Sequence, residues 1–265
     1  MRIIVALLAG YLLLQSEARA ADGKPVFLYS RYFNAVGENR YLPDGTYKDV
    51  LGRLDQAFEV RVSDKPLTAE NLKGVNVVLV ANPSAEAVGG NKPPHHVDSK
   101  DIEEISKYLE QGGGLIVMGN QENHNLEIKD MNKLLGRFGI QFTNVYTDAK
   151  KLVLPKEAPV VGGMRWAYYT GNQLLIDKSN KARPTAMVTN DLAQKPEKGE
   201  RDAPGVLMAS ATPGKGRVLV VTDAGWITDT ALNGEGIGGV AIKEQDNWEM
   251  FRKLALWTAS RDPKK

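Results

Sequence analysis

Apolar residues in the first half of the chain follow two alternating patterns. One is the short apolar run: residues 25–29, Val77-Val78-Leu79-Val80 at the end of a third strand over 75–80, and Leu115-Ile116-Val117-Met118. A strand buried on both faces needs such a run. Glu59-Val60-Arg61-Val62 alternates instead and predicts a second strand of the half-buried kind. The other pattern is helical spacing. Val50, Leu51, Leu54 and Phe58 predict a helix over 46–58, and Thr68 as an N-cap predicts a short one over 68–72. Ile102, Ile105, Tyr108 and Leu109 share one face of a helix capped by Asp98 or Ser99 and stopped by Gly112-Gly113-Gly114. Ile128, Met131, Leu134, Leu135 and Phe138 predict a helix over 126–138, ended by Gly139. Strand and helix in alternation predict an α/β protein with a parallel sheet and helices on both faces. Right-handed crossovers then bring the C-terminal ends of the strands to one edge.

The second half has another rhythm. Residues 140–146, 151–154, 165–169, 174–176 and 185–188 are short and strand-like, with turn residues between them. Residues 205–209 and 217–221 are set to pair across Thr212-Pro213-Gly214-Lys215-Gly216. A partly antiparallel C-terminal extension is therefore expected. The charged stretch 190–204 predicts a solvated loop. Trp248, Phe251, Leu254, Ala255 and Trp257 predict a last helix over 245–259.

Residues 1–20 stand apart. Met1-Arg2 is a short positive start, residues 3–14 are apolar but too short to span a bilayer comfortably, and Ala18-Arg19-Ala20 offers small residues to a signal peptidase. The expectation is a signal peptide over 1–20 cleaved before Ala21, a periplasmic or secreted protein, no membrane span after cleavage, and one domain over 21–265. A formal net charge of +2, with both signs interspersed, predicts no nucleic-acid partner. The chain has no cysteine, which removes thiol catalysis and thiolate metal sites from consideration.

Gly112-Gly113-Gly114-Leu115-Ile116-Val117-Met118-Gly119 resembles a strand entry of class I glutamine amidotransferase-like domains. Gly216-Arg217-Val218-Leu219-Val220-Val221-Thr222-Asp223-Ala224-Gly225-Trp226-Ile227 is similar to a late strand of an exported, largely uncharacterised branch of that superfamily. The resemblance implies a flavodoxin-like fold with a mostly parallel sheet. It also implies a nucleophile cysteine on the turn after the central strand, and here that turn reads Met118-Gly119-Asn120-Gln121-Glu122. Thiolate hydrolysis of glutamine is thus unavailable. The superfamily includes trehalose-utilisation-like proteins and domains within glycosidases, so a carbohydrate connection follows by analogy.

The only histidines, His95, His96 and His124, fall in two loops that should leave the same sheet edge. Three expectations follow. The first is a non-amidotransferase domain binding a small polar ligand, with carbohydrate as the candidate class. Its ligand-binding candidates are Asn120, Gln121, Glu122, His124, Asn125, His95, His96, Asp223 and Trp226: amides and acids for hydrogen bonds, an aromatic for stacking. The second is a hydrolase with His124 as base and Glu122 or Asp223 as acid. A divalent metal on His95, His96 and His124 would serve the same reading, although the spacing matches no established ligand motif. No Gly-x-Ser-x-Gly elbow supplies a serine nucleophile. The third is a structural or assembly module with a vestigial cleft, in which these Asn and Asp residues only satisfy turns and cap helices.

Overall fold

The computed structural model describes residues 23–147, 151–190, 205–236 and 241–260. The expected leader over 1–20 and nearly all of the loop at 190–204 lie outside the described residues. The strands are β1 (Val26–Ser30), β2 (Glu59–Ser63), β3 (Val75–Ala81), β4 (Gly114–Met118), β5 (Ile140–Phe142), β6 (Lys151–Val153), β7 (Arg165–Ala167), β8 (Leu174–Ile176), β9 (Thr185–Thr189), β10 (Val206–Ala211) and β11 (Arg217–Val221). The helices are α1 (Lys48–Leu54), α2 (Ser99–Glu110), α3 (Met131–Leu135), α4 (Asp229–Leu232) and α5 (Asn247–Ala259).

The main sheet runs β2-β1-β3-β4-β11-β10-β8-β5, with β9 also paired to β10; β6 and β7 form a separate pair. Strands β2, β1, β3, β4 and β11 are mutually parallel. From β10 onward every pairing is antiparallel. The sheet is therefore mixed, which corrects the expectation of a mostly parallel, flavodoxin-like one. The cause is local. Parallel neighbours need a crossover of a dozen or more residues, usually a helix, whereas a tight turn returns the chain antiparallel. The turn through Pro213 and Gly214 does this between β10 and β11.

Period-two alternation in the buried strands sorts side chains to two cores. Phe27, Tyr29, Val77, Leu79, Ile116, Met118, Leu219 and Val221 pack beneath α1 and α5. Val26, Leu28, Val78, Val80, Leu115, Val117, Val218 and Val220 pack beneath α2 and α3. Helices thus cover both faces, as the unbroken apolar runs required. Gly114 lets α5 lie close to β4: a Cβ there would stand 2.4 Å from the carbonyl oxygen of Thr258.

Three predicted helices shrink. The stretch predicted over 68–72 is a run of turns, ended by Gly74 at φ +76°. The helix predicted over 46–58 is α1, and residues 55–57 form turns. The helix predicted over 126–138 is reduced to α3 followed by a single 3-10 turn, Gly136–Phe138. The buried Glu127 carboxylate accepts the N–H groups of Asp130 and Met131, at 2.8 and 2.7 Å, and so sets the later start. No helix among the described residues is long and apolar enough to cross a membrane.

Candidate functional site

Because β1, β3, β4 and β11 are parallel neighbours, the loops that leave their C-terminal ends meet at one edge. After β4 the chain turns through Gly119, whose N–H donates to the Val221 carbonyl at 3.0 Å. A Cβ at Gly119 would stand 2.8 Å from Leu126 and 2.9 Å from Phe142, so only glycine fits without displacement. Asn120 follows and is buried. Its Oδ1 accepts the Ala224 N–H at 2.7 Å and the Tyr41 hydroxyl at 3.2 Å, and its Nδ2 donates to Asp223 at 3.3 Å. Asp223 is fully buried and also accepts the N–H groups of Gly225, at 2.5 Å, and Tyr169, at 3.2 Å. One amide and one carboxylate thereby tie the loops after β1, β4 and β11 together.

His124 is placed by its neighbours. The Asn82 side chain accepts the Asn120 N–H at 3.1 Å and donates to the His124 carbonyl at 2.9 Å. The imidazole is half-buried, and its buried Nδ1 has no hydrogen-bond partner among the described residues. Burial pushes its pKa below the ordinary histidine range; the Arg40 charge adds to this and Glu38 partly offsets it. At neutral pH the ring is therefore uncharged. Arg40 is held by the buried Glu38 through two hydrogen bonds of 2.9 Å. Burial alone would raise the Glu38 pKa, but its bonds and charge contact with Arg40 outweigh this and hold it low. Tyr29, Tyr41 and Tyr47 form a packed aromatic floor, with ring centroids 5.6 Å (Tyr29–Tyr47) and 5.2 Å (Tyr41–Tyr47) apart. Burial raises all three phenol pKa values, that of Tyr29 to about 12. Tyr41, Asn82 and Asn125 have φ of 56°, 46° and 58°; asparagine tolerates this region, whereas Tyr41 pays for it. Between the loops lies a cleft of about 420 Å³ lined by Arg40, Tyr41, Asn120, His124, Tyr169 and Asp223, among others.

The candidates separate on this frame. Asn120, His124 and Asp223 share the cleft. Trp226 does not: the 3-10 turn Gly225–Ile227 carries its indole into the core, edge-on to Trp166 and Phe251 at 5.6 and 5.8 Å, with no exposed surface. A stacking platform at Trp226 is thereby corrected. Asn125 pairs its side chain with the main chain of Glu86, at 2.8 and 3.1 Å, and closes a loop. Gln121 is buried in the turn after β4, and Glu122 opens the 3-10 turn Glu122–His124. The three histidines take three settings. His95 Nε2 meets Asp101 at 2.6 Å beneath the Tyr32 ring, and His96 Nε2 meets the Ala85 carbonyl at 2.9 Å. Two groups of acceptors among the described residues are close enough to share a cation, His95–Asp98–Asp101 and His96–Glu127–Asp130. His124 belongs to neither, so the common three-histidine metal site is corrected as well.

No protein-family model matches the chain. Solved structures similar to it include a ThuA-like protein from Bacteroides uniformis, with a TM-score of 0.51 and 11% identity over 90% of this chain and 93% of that one. The fold is class I glutamine amidotransferase-like. The mmIFT52 N-terminal domain is also similar, with a TM-score of 0.65 and 17% identity over 91% of this chain and 100% of that domain. In sequence, the mouse intraflagellar transport protein 52 homolog is 27% identical over 135 residues, which is 50% of this chain and 29% of the relative. The human homolog is 26% identical over the same length. The chain thus covers less than a third of the curated relatives it matches.

Sequence reasoning missed Tyr41, Tyr169 and Thr170 as cleft residues. Tyr41 sits in a polar loop without periodicity, and Tyr169 and Thr170 follow a strand of the separate β6–β7 pair. Nothing local marks either segment as part of this edge. Tertiary hydrogen bonds tie the latter in: the buried carboxylate of Asp223 accepts the Tyr169 N–H, and the Tyr168 hydroxyl meets that of Thr222 at 3.1 Å.

Proposed function

We propose that this domain binds a small polar ligand, carbohydrate being the candidate class, at the C-terminal edge of its parallel strands, and that it is not an amidotransferase. The observation that carries this reading is the buried, unpartnered Nδ1 of His124 in the wall of a roughly 420 Å³ cleft. Asn120 and Asp223, which line the same cleft, are committed to the scaffold. A neutral imidazole nitrogen left in this state lacks a partner, and a ligand hydroxyl supplies one if the ring turns that nitrogen toward the cleft it lines. Tyr41 and Tyr169 also line the cleft, but both are buried and offer a ligand little exposed ring.

A hydrolase is less well supported. One of its two acid candidates, Asp223, is engaged by three N–H donors, and the turn after the central strand reads Gly119-Asn120-Gln121 with no cysteine. The leader over 1–20 supports export to the periplasm or beyond. The order β2-β1-β3-β4 supports a flavodoxin-like origin for that half of the sheet. A second reading, an assembly module with a vestigial cleft, draws support from the likeness to proteins named for intraflagellar transport.

The test is calorimetric titration with a panel of mono- and oligosaccharides and linear polyols. At least one is expected to bind, and His124→Ala to weaken it by about tenfold or more, the loss of one buried hydrogen bond. A panel in which no compound binds the wild type would turn the conclusion to the assembly reading.

A further inference from the structure

Away from the cleft, an imidazole meets two carboxylates at the start of α2 and again at the start of α3. Distance separates the two groups. His95 Nε2 and Asp101 Oδ2 stand 2.6 Å apart, a hydrogen bond. Two ligands of one tetrahedral zinc, each about 2.0–2.2 Å from the metal, are about 3.3–3.5 Å apart. Asp98 and Asp101 are also engaged as the capping box of α2. His96 Nδ1 and Asp130 Oδ2, by contrast, stand 3.4 Å apart.

The other nitrogen of His96 fixes the chemistry. Nε2 faces the Ala85 carbonyl at 2.9 Å, which can only accept, so Nε2 carries a proton. In the neutral ring Nδ1 then presents its lone pair, the arrangement in which a metal-binding imidazole is oriented by a backbone carbonyl. Asp130 Oδ2 stands nearest Nδ1, and His96, Glu127 and Asp130 each offer a ligand atom within 4.8 Å of the other two. Glu127 is buried and pinned by two main-chain N–H groups, so it cannot swing away. Lys133 holds Asp130 by its other oxygen at 2.7 Å and leaves Oδ2 to the imidazole. A cavity of about 750 Å³, lined by His96, Glu127 and Asn123 among others, opens beside the group and leaves room for a water as fourth ligand.

We propose that His96, Glu127 and Asp130 form a three-ligand site for a divalent cation of zinc's chemistry, joining the loop after β3 to the start of α3. Imidazole nitrogen with carboxylate oxygens is a donor set that suits zinc, and the 3.4 Å between His96 Nδ1 and Asp130 Oδ2 matches two of its tetrahedral ligands. The proposal is independent of the ligand cleft, since none of its three ligands lines it.

The test is equilibrium dialysis of the chelator-stripped full chain against zinc, with metal counted by elemental analysis and folding checked by circular dichroism. The wild type and His95→Gln are expected to hold one zinc per chain. Asp130→Asn and His96→Gln are expected to lose affinity by roughly tenfold or more; the glutamine keeps an N–H for the Ala85 carbonyl. A wild type that retains no zinc overturns the proposal and leaves His96 and Asp130 as a side-chain pair without a cation. Equal retention by folded His96→Gln overturns it too.

Discussion

Burial around His124 decides how this edge responds to acid. Its folded-state pKa lies below the ordinary value of about 6.5, so the unfolded chain holds the proton more tightly than the native one. The contribution of the neutral ring is whole above that ordinary value and is lost as pH falls through the depressed folded one. Thermal unfolding of His124→Gln should therefore lose less stability than the wild type between about pH 7.5 and pH 5. Equal losses would show that burial of His124 does not set the response in this window, since carboxylates held low by partners, such as Glu38 and Asp130, give up their contribution only below about pH 5. At this scale the sequence was a partial guide. It put Asn120, His124 and Asp223 at one edge, because each follows a buried strand. It could not tell that Trp226, three residues beyond Asp223, turns inward, because that depends on a single 3-10 turn.

Helix α2 was legible because its signals are local: an N-cap acid, an acid three residues on, one apolar face and a glycine stop. Asp98 accepts the N–H groups of Lys100 and Asp101 at 2.8 and 2.9 Å, and Asp101 accepts the Asp98 N–H at 3.1 Å. Asp98→Ala should cost about 1 kcal/mol in urea unfolding, while Asp98→Ser should recover most of it. A loss within error for Asp98→Ala would show that packing of Ile105 and Leu109 alone holds the element. Helix α3 was less legible. Periodicity from Ile128 to Phe138 promised a longer helix, but Glu127 diverts the main-chain donors of Asp130 and Met131 to its own carboxylate. Hydrophobic spacing records which face is buried, not where the hydrogen bonding begins.

Across the whole molecule, the two cores meet the two faces of one sheet, and the edge that carries the cleft depends on both. Trp226 is central to one core, packed between Trp166 and Phe251 with no exposed surface. Trp226→Ala should destabilise the fold by about 3–5 kcal/mol in denaturant unfolding. A cost below about 1 kcal/mol would contradict its core position. The apolar runs of β1, β3 and β4 specified the buried centre of the parallel half, because burial on both faces leaves a pattern in the residues themselves, whereas the parallel place of β11 beside β4 came from the fold.

The sequence by itself determined the α/β class, the sorting of side chains to two faces, the turn at Gly119-Asn120 and the absence of a thiol nucleophile. These depend on local spacing and composition. Tertiary structure decided that β11 lies parallel to β4, that the three histidines part company, and that Tyr41 and Tyr169 line the cleft with His124. Each of those outcomes is a contact between segments far apart in the chain, set by strand pairing and by the buried bonds of Asn120 and Asp223. Residue order along a single loop carries no trace of them.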